Sequence, residues 1–125
     1  MKHVLDSSAI ALILKKLGGE SIEVLEESAT VGLAAYELGN ILWKEYALRR
    51  LIGLEEAVRK AEQIAKILEI IKLENIASAE EFKEVMKLAA ELKLTFHDAS
   101  YLQVAKRMGI PLVTEDKELL EKAKI

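Results

Sequence analysis

Apolar positions along the chain change their spacing repeatedly, from short unbroken runs to runs three and four residues apart. Short runs suit buried strands, and three-four spacing suits helices with one apolar face. Lys2 to Leu5 predicts a first strand that stops at Asp6, and the apolar residues of Ser8 to Leu17 predict a helix ended by Gly18-Gly19. Glu20 to Glu27, with Ile22 and Leu25 among acids, reads as another helical piece. Ala29-Thr30-Val31-Gly32-Leu33 joins small and β-branched residues and reads as a second strand. From Ala34 to about Leu51, Leu38, Leu42 and Tyr46 with Ala35, Ile41 and Trp43 wind around a helix that Gly53 would end. Leu54 to Ile71 repeats the pattern with Ala57, Ala61, Ile64, Ala65, Leu68 and Ile71, so these two segments predict a helical hairpin.

Further on, Lys72 to Ala77 predicts an edge strand, and Ser78-Ala79-Glu80-Glu81 is a capping box that opens a helix through Leu92. Leu94-Thr95-Phe96 predicts a very short strand, followed by a helix from about His97 to Met108 that Gly109 stops. Pro111 to Thr114 is the last predicted strand and Asp116 to Ala123 the last helix. Strands that alternate with helices imply parallel β-α units, because a parallel partner is reached only by a crossover. The expectation is an α/β fold with a mostly parallel sheet of four to five short strands, in one domain spanning residues 1–125.

Composition narrows what such a domain can do. At 125 residues the chain has room for one core, and 51% hydrophobic with 31% charged residues excludes disorder. No apolar stretch approaches the ~20 residues that cross a bilayer, and Asp6 interrupts the opening residues too soon for a secretory segment. A soluble, unprocessed, cytoplasmic protein is expected. The chain has no cysteine, which removes disulfides, thiolate zinc sites, iron–sulfur clusters and cysteine nucleophiles together. Its 21 acidic and 18 basic residues give a net charge of -3, so no global basic field holds nucleic acid.

The acids fall at informative places. Asp6 follows the first strand, Asp116 lies two residues beyond the last, Asp98 opens the helix after the short strand, and Glu37 lies in the first turn of the helix after the second strand. Ligands of open parallel sheets bind outside the carboxyl ends of the strands, so four distant positions can share one crevice. Carboxylates gathered there repel one another, and a hard divalent cation with oxygen ligands is their natural counter-charge. Such an ion suits phosphodiester hydrolysis. Each acid also has a plainer reading. Asp6, Asp98 and Asp116 stand where helices start and could be caps, Thr95 and Asp98 could form a capping pair, and a first-turn Glu favours the helix dipole.

Four blocks carry a resemblance. Val4-Leu5-Asp6-Ser7-Ser8-Ala9, Tyr36-Glu37-Leu38-Gly39-Asn40-Ile41-Leu42, Thr95-Phe96-His97-Asp98-Ala99-Ser100-Tyr101-Leu102 and Leu112-Val113-Thr114-Glu115-Asp116-Lys117-Glu118-Leu119 together resemble the PIN-domain ribonucleases, most closely the VapC toxins of toxin–antitoxin pairs. The similarity runs in order over essentially the whole chain. It implies a Rossmann-like three-layer α/β/α fold and a Mg²⁺- or Mn²⁺-dependent endoribonuclease. Asp6, Glu37, Asp98 and Asp116 match the family's acidic quartet as metal-binding and catalytic residues. Thr114 matches the hydroxyl two residues before the last acid, which positions a carboxylate or water. Ser7 or Ser8 would support Asp6, and Asn40, one turn after Glu37, would orient that carboxylate. Implied partners are an RNA substrate, a cognate antitoxin that covers the acidic pocket, and a second copy in a homodimer.

Other residues carry weaker signals. His97 adjoins Asp98 as a candidate proton carrier and His3 reads as structural; with no histidine partner at ligand spacing, a zinc site is not expected. Glu115 and Glu118 are spare rim acids. Lys44, Arg49, Arg50 and Arg59 are the best local basic set, either for RNA phosphates or as a solvated face. Trp43, Tyr46 and Tyr101 read as core or interface. The competing functions are a catalytically idle PIN-like binding module and a phosphoryl-transfer domain of another lineage. Against the latter, Asp6-Ser7-Ser8 lacks the second Asp of a haloacid-type phosphatase, and there is no P-loop or GxGxxG run.

Overall fold

The computed structural model describes residues 1–123 and contains a four-stranded sheet. Its strands are β1 (His3–Leu5), β2 (Ser28–Thr30), β3 (Lys72–Leu73) and β4 (Leu112–Val113), in the order β3-β2-β1-β4. Every pairing is parallel, with Val4 opposite Ala29 on one side and Leu112 on the other. Val4, Leu5 and Ala29 are fully or almost fully buried, as expected of central parallel strands covered on both faces.

Seven α-helices are described: α1 (Ser7–Leu17), α2 (Ser21–Glu26), α3 (Leu33–Ala47), α4 (Leu54–Leu68), α5 (Ala79–Leu92), α6 (Phe96–Met108) and α7 (Lys117–Ala123). Helices α1 to α4 pack among themselves, with α3 against α4 as the expected hairpin, while α5 pairs with α6, which lies on β1 and β4. The result is the three-layer α/β/α arrangement. Because the chain runs from β1 outward to β2 and β3, then returns to the other side of β1 for β4, the carboxyl ends of β1 and β4 flank a topological switch point.

Several boundaries move from the sequence expectation, each for a local reason. Leu94 to Phe96 is no strand. The Leu94 N–H donates to the Ala89 carbonyl, Lys93 takes a left-handed conformation at the end of α5, and the Thr95 hydroxyl accepts from the Asp98 N–H to start α6. The second strand ends at Thr30, since the N–H groups of Ala34 and Ala35 already turn back to Val31 and Gly32. Helix α3 ends at Ala47, where Arg49 and Leu51 donate to Lys44 and Glu45, and Gly53 proves to be the N-cap of α4. Helix α4 stops at Leu68, short of Ile71, and the edge strand shrinks to Lys72–Leu73. Gly18–Glu20 forms a 3₁₀ turn before α2, whose Leu25 is buried and whose Ile22 is exposed. The capping box forms at Ser78, whose hydroxyl accepts from the Glu81 N–H, with Glu81 reaching back to the Ala77 N–H.

Arg107 on α6 ties this framework together. Its guanidinium donates to Glu81 at 2.7 Å, to Glu74 at 3.0 Å and to the Asn75 carbonyl at 3.0 Å. Asn75 in turn accepts from the Gly32 N–H at 2.8 Å, where a Cβ on Gly32 would collide with the Asn75 Oδ1. Arg107, with Lys72, holds the Glu74 carboxyl below its ordinary range. A depressed folded value means that this contribution is complete above the unfolded value, ~4.3, and is lost as pH falls through the folded one. Thermal melts between pH 2 and 6 should show that acid-side loss, and Arg107→Ala should flatten it.

Candidate active site

Asp6 leaves β1 as a buried carboxylate. Its Oδ1 accepts from the Ala9 N–H at 2.9 Å, the expected cap of α1, and from the Ser8 hydroxyl at 2.7 Å. Its Oδ2 accepts from the Thr114 hydroxyl. Thr114 Oγ1 also accepts from the Asp116 N–H at 3.0 Å, and Ser8 Oγ accepts from the Glu115 N–H at 2.9 Å. Two hydroxyls thus lock the end of β4 onto the end of β1, which fixes the two aspartates relative to each other. Of the two candidate serines, Ser8 is the one that donates to Asp6.

Asp116 is exposed, and its Oδ1 accepts from the N–H groups of Glu118 and Leu119, so it caps α7. Asp98 is different. Thr95 is the cap of α6 and Asp98 is its third residue, half-buried, so the expected capping pair of Thr95 and Asp98 forms: the Thr95 hydroxyl accepts from the Asp98 N–H and also hydrogen-bonds to its carboxylate. Glu37 departs from the plainer reading, because α3 begins at Leu33 and Glu37 is its fifth residue, beyond the first turn.

Glu37 reaches the other acids through a tyrosine. The Tyr101 hydroxyl donates to Glu37 Oε1 at 2.5 Å across 64 residues of sequence. Burial, and then the hydrogen bond to Glu37 and its charge, hold the Tyr101 phenol protonated far above its ordinary range. Asp98 registers the whole group: burial first, then the charges of Asp116 and Glu37 with a smaller push from Asp6, raise its carboxyl above the usual value against the opposing Thr95 hydroxyl. Among the described residues no lysine, arginine or histidine forms an ion pair with Asp6, Glu37, Asp98 or Asp116. Two acids that follow strand ends, Asp6 and Asp116, and two on helices, Glu37 and Asp98, therefore lack a protein counter-charge.

The donors are carboxylate and hydroxyl oxygens, which suit a hard cation rather than a soft one. Among the described residues no three acidic or imidazole side chains close into a ready cage. An ion that retains waters needs only one or two carboxylates, so the set fits magnesium or manganese.

Residues 4–125 match the family model described as the PIN domain. The chain is 34% identical over 127 residues to Ribonuclease VapC3 of Pyrobaculum aerophilum, covering 98% of this chain and 95% of the relative. This chain belongs to the PIN-domain family. It is also 36% identical over 126 residues to Exonuclease VapC9 of the same organism, covering 99% of this chain and 87% of the relative. The crystal structure of PAE2754 from Pyrobaculum aerophilum superposes with a TM-score of 0.80 at 37% identity, covering 99% of this chain and 86% of that one. Such relatives place the chain in the VapC branch of the PIN family.

Within this PIN domain, the remaining candidates separate. Asn40 is exposed and makes no hydrogen bond to Glu37 among the described residues; Tyr101 makes it instead. Tyr101, which the helical spacing assigns to core or interface, is 1% exposed and still reaches the acids. Its position three residues after Asp98 on one helix face was the available signal. His97 is exposed, Glu118 pairs with Lys122, and Glu115 contributes its backbone rather than its carboxylate. His3 lies in β1. Trp43 is 52% exposed and Tyr46 is also exposed, so neither belongs to the core. Lys44, Arg49, Arg50 and Arg59 are exposed, with Arg59 near Glu56.

Proposed function

We propose that this chain is a metal-dependent endoribonuclease acting in the cytoplasm, the toxin of a VapBC-type pair, with residues 1–125 as a single nuclease domain. The observation that carries the reading is the group of four acids with no cationic partner among the described residues, one of them, Asp98, pushed toward protonation by burial and then by the charges of the others. Asp6, Glu37, Asp98 and Asp116 would hold Mg²⁺ or Mn²⁺. A bound divalent ion supplies Lewis acidity that activates a water and offsets charge developing on the phosphoryl oxygens. The chain's own contribution is rigidity: Thr114 and Ser8 hold the Asp6 carboxylate from both oxygens, and Thr114 fixes the backbone that carries Asp116. A carboxylate locked this way does not have to be ordered when substrate arrives. An idle binding module would gain stability by neutralising one of these acids, so their presence together favours catalysis.

The family also supplies partners. An apolar groove of about 630 Å³ runs between α1, α3 and α4, lined by Leu14, Leu38, Ile41, Leu42, Ile64 and Ile67. It is the surface on which a cognate antitoxin would lie, with a basic side chain entering the acidic crevice, and the exposed Trp43 leaves a face for a homodimer.

One relative is named a ribonuclease and the other an exonuclease, so the position of the cut is the point to test. A circular single-stranded RNA has no ends. The purified protein with Mn²⁺ should linearise it, leave a 5′-phosphate, and stop in excess EDTA. Cleavage of linear RNA from its ends alone would replace the endonuclease reading, and full activity in EDTA would exclude the metal mechanism.

A further inference from the structure

We infer that Tyr101 is a positioning residue whose hydroxyl fixes one oxygen of Glu37 and leaves the other for the divalent ion. This rests on the metal-dependent reading above. Tyr101 is 1% exposed, and its ring sits in the main core with Val4, Leu5 and Ile10. A buried phenol needs a hydrogen-bond partner, and its hydroxyl donates, at 2.5 Å, to a carboxylate oxygen on a different helix, while the Ser7 side chain at the start of α1 also hydrogen-bonds to it. Glu37 Oε2 has no partner among the described residues, and neither does Oε1 apart from Tyr101. Without that bond, a half-buried glutamate on the side of α3 is free to sample its rotamers.

The location of the bond gives it a role beyond the core. Helices α3 and α6 contribute side chains to one core but are not close-packed backbone to backbone, because the close packing of α3 is against α4 and α1 and that of α6 is against α5 and the sheet. Tyr101 lies one helical turn after Asp98, so a rigid helix connects the Glu37 carboxylate to the Asp98 carboxylate. The hydroxyl thereby ties together two acids carried on helices that are not close-packed against each other. Oxygen ligands held by outer hydrogen bonds bind metal more tightly, and losing such a partner typically weakens binding by 10 to 100-fold.

A double-mutant cycle tests this with two readouts, Mn²⁺ titration calorimetry of the protein without RNA and cleavage of single-stranded RNA. The proteins are wild type, Tyr101→Phe, Glu37→Gln and the double variant. Tyr101→Phe removes one oxygen and keeps the ring. It should weaken Mn²⁺ binding by about tenfold with an unchanged near-ultraviolet spectrum, whereas in the Glu37→Gln background removing the hydroxyl should change Mn²⁺ affinity less than about twofold. Equal losses in both backgrounds, wild-type affinity in Tyr101→Phe, or failure of that variant to fold would overturn the inference and make the hydroxyl part of the fold alone. Absence of Mn²⁺ binding by the wild type would instead defeat the metal reading itself.

Discussion

Asp98→Asn is expected to lower RNA hydrolysis by roughly a hundredfold or more, about 2.7 kcal/mol of barrier, while raising the melting temperature of the metal-free protein at pH 7. The two effects have one cause. The Thr95 hydroxyl takes the N–H that starts α6, and the Asp98 carboxylate shares a hydrogen bond with that hydroxyl, which an asparagine side-chain oxygen can also accept, so the substitution chiefly removes charge. Its folded carboxyl is raised by burial and by Asp116, Glu37 and Asp6. The folded state therefore binds more protons than the unfolded state, and stability declines as pH climbs from the unfolded value, ~3.9, through the raised one. Asparagine abolishes that decline. Wild type and variant should melt together well below pH 4 and separate above it, with the variant higher. Activity within about threefold of wild type, less than ~1 kcal/mol of barrier, would show that the charge takes no part in the chemistry.

Asp6→Asn makes an instructive contrast. Asparagine caps a helix about as well as aspartate, so the bond to the Ala9 N–H survives. The other oxygen becomes an amide donor facing Thr114, whose hydroxyl already accepts from the Asp116 N–H. That variant should lose activity and also stability, by about 1–3 kcal/mol for the mismatched buried group. Loss of function with opposite effects on melting is a signature that a pair of simple helix caps would not give.

Metal should reverse the repulsion. Mn²⁺ at a hundred times its dissociation constant adds ~2.7 kcal/mol to the folded state, roughly 10 °C in melting temperature for a chain of this length. Paired melts at pH 7 with Mn²⁺ and with EDTA should show the shift in wild type and its near-absence in Asp98→Asn. An equal shift in both proteins would place the ion away from this crevice.

What the sequence revealed of this site was what is local along the chain. A buried run ending in aspartate marks a strand end, and β1 with Asp6 and β4 with Thr114 and Asp116 were legible for that reason. Glu37 was legible as a residue and misplaced within its helix. The β-branched Val31 suggested a longer strand, while in the fold the Val31 and Gly32 carbonyls already accept helical bonds, which moves Glu37 out of the first turn. Leu94-Thr95-Phe96 misled because alternating apolar residues and a threonine cap look alike until the Asp98 N–H is seen to need an acceptor. Trp43 was legible only as core or interface, since helical spacing puts a residue on a face without saying whether anything covers it, and its 52% exposure removes the core alternative. The helix of Tyr101 places it on one face with Asp98, but its bond to Glu37 could not be read there, because that partner stands 64 residues away on another helix.

The central claim is that Asp6, Glu37, Asp98 and Asp116 form one ion-binding site. Mn²⁺ titration calorimetry on wild type, Asp6→Asn, Glu37→Gln, Asp98→Asn and Asp116→Asn tests it without reference to any substrate. Each variant is expected to lose about tenfold or more in affinity, at least ~1.4 kcal/mol, with one isotherm in the wild type accounting for all four losses. Wild-type affinity in two or more of the variants would contradict the claim and return those acids to their roles as helix caps and surface charges.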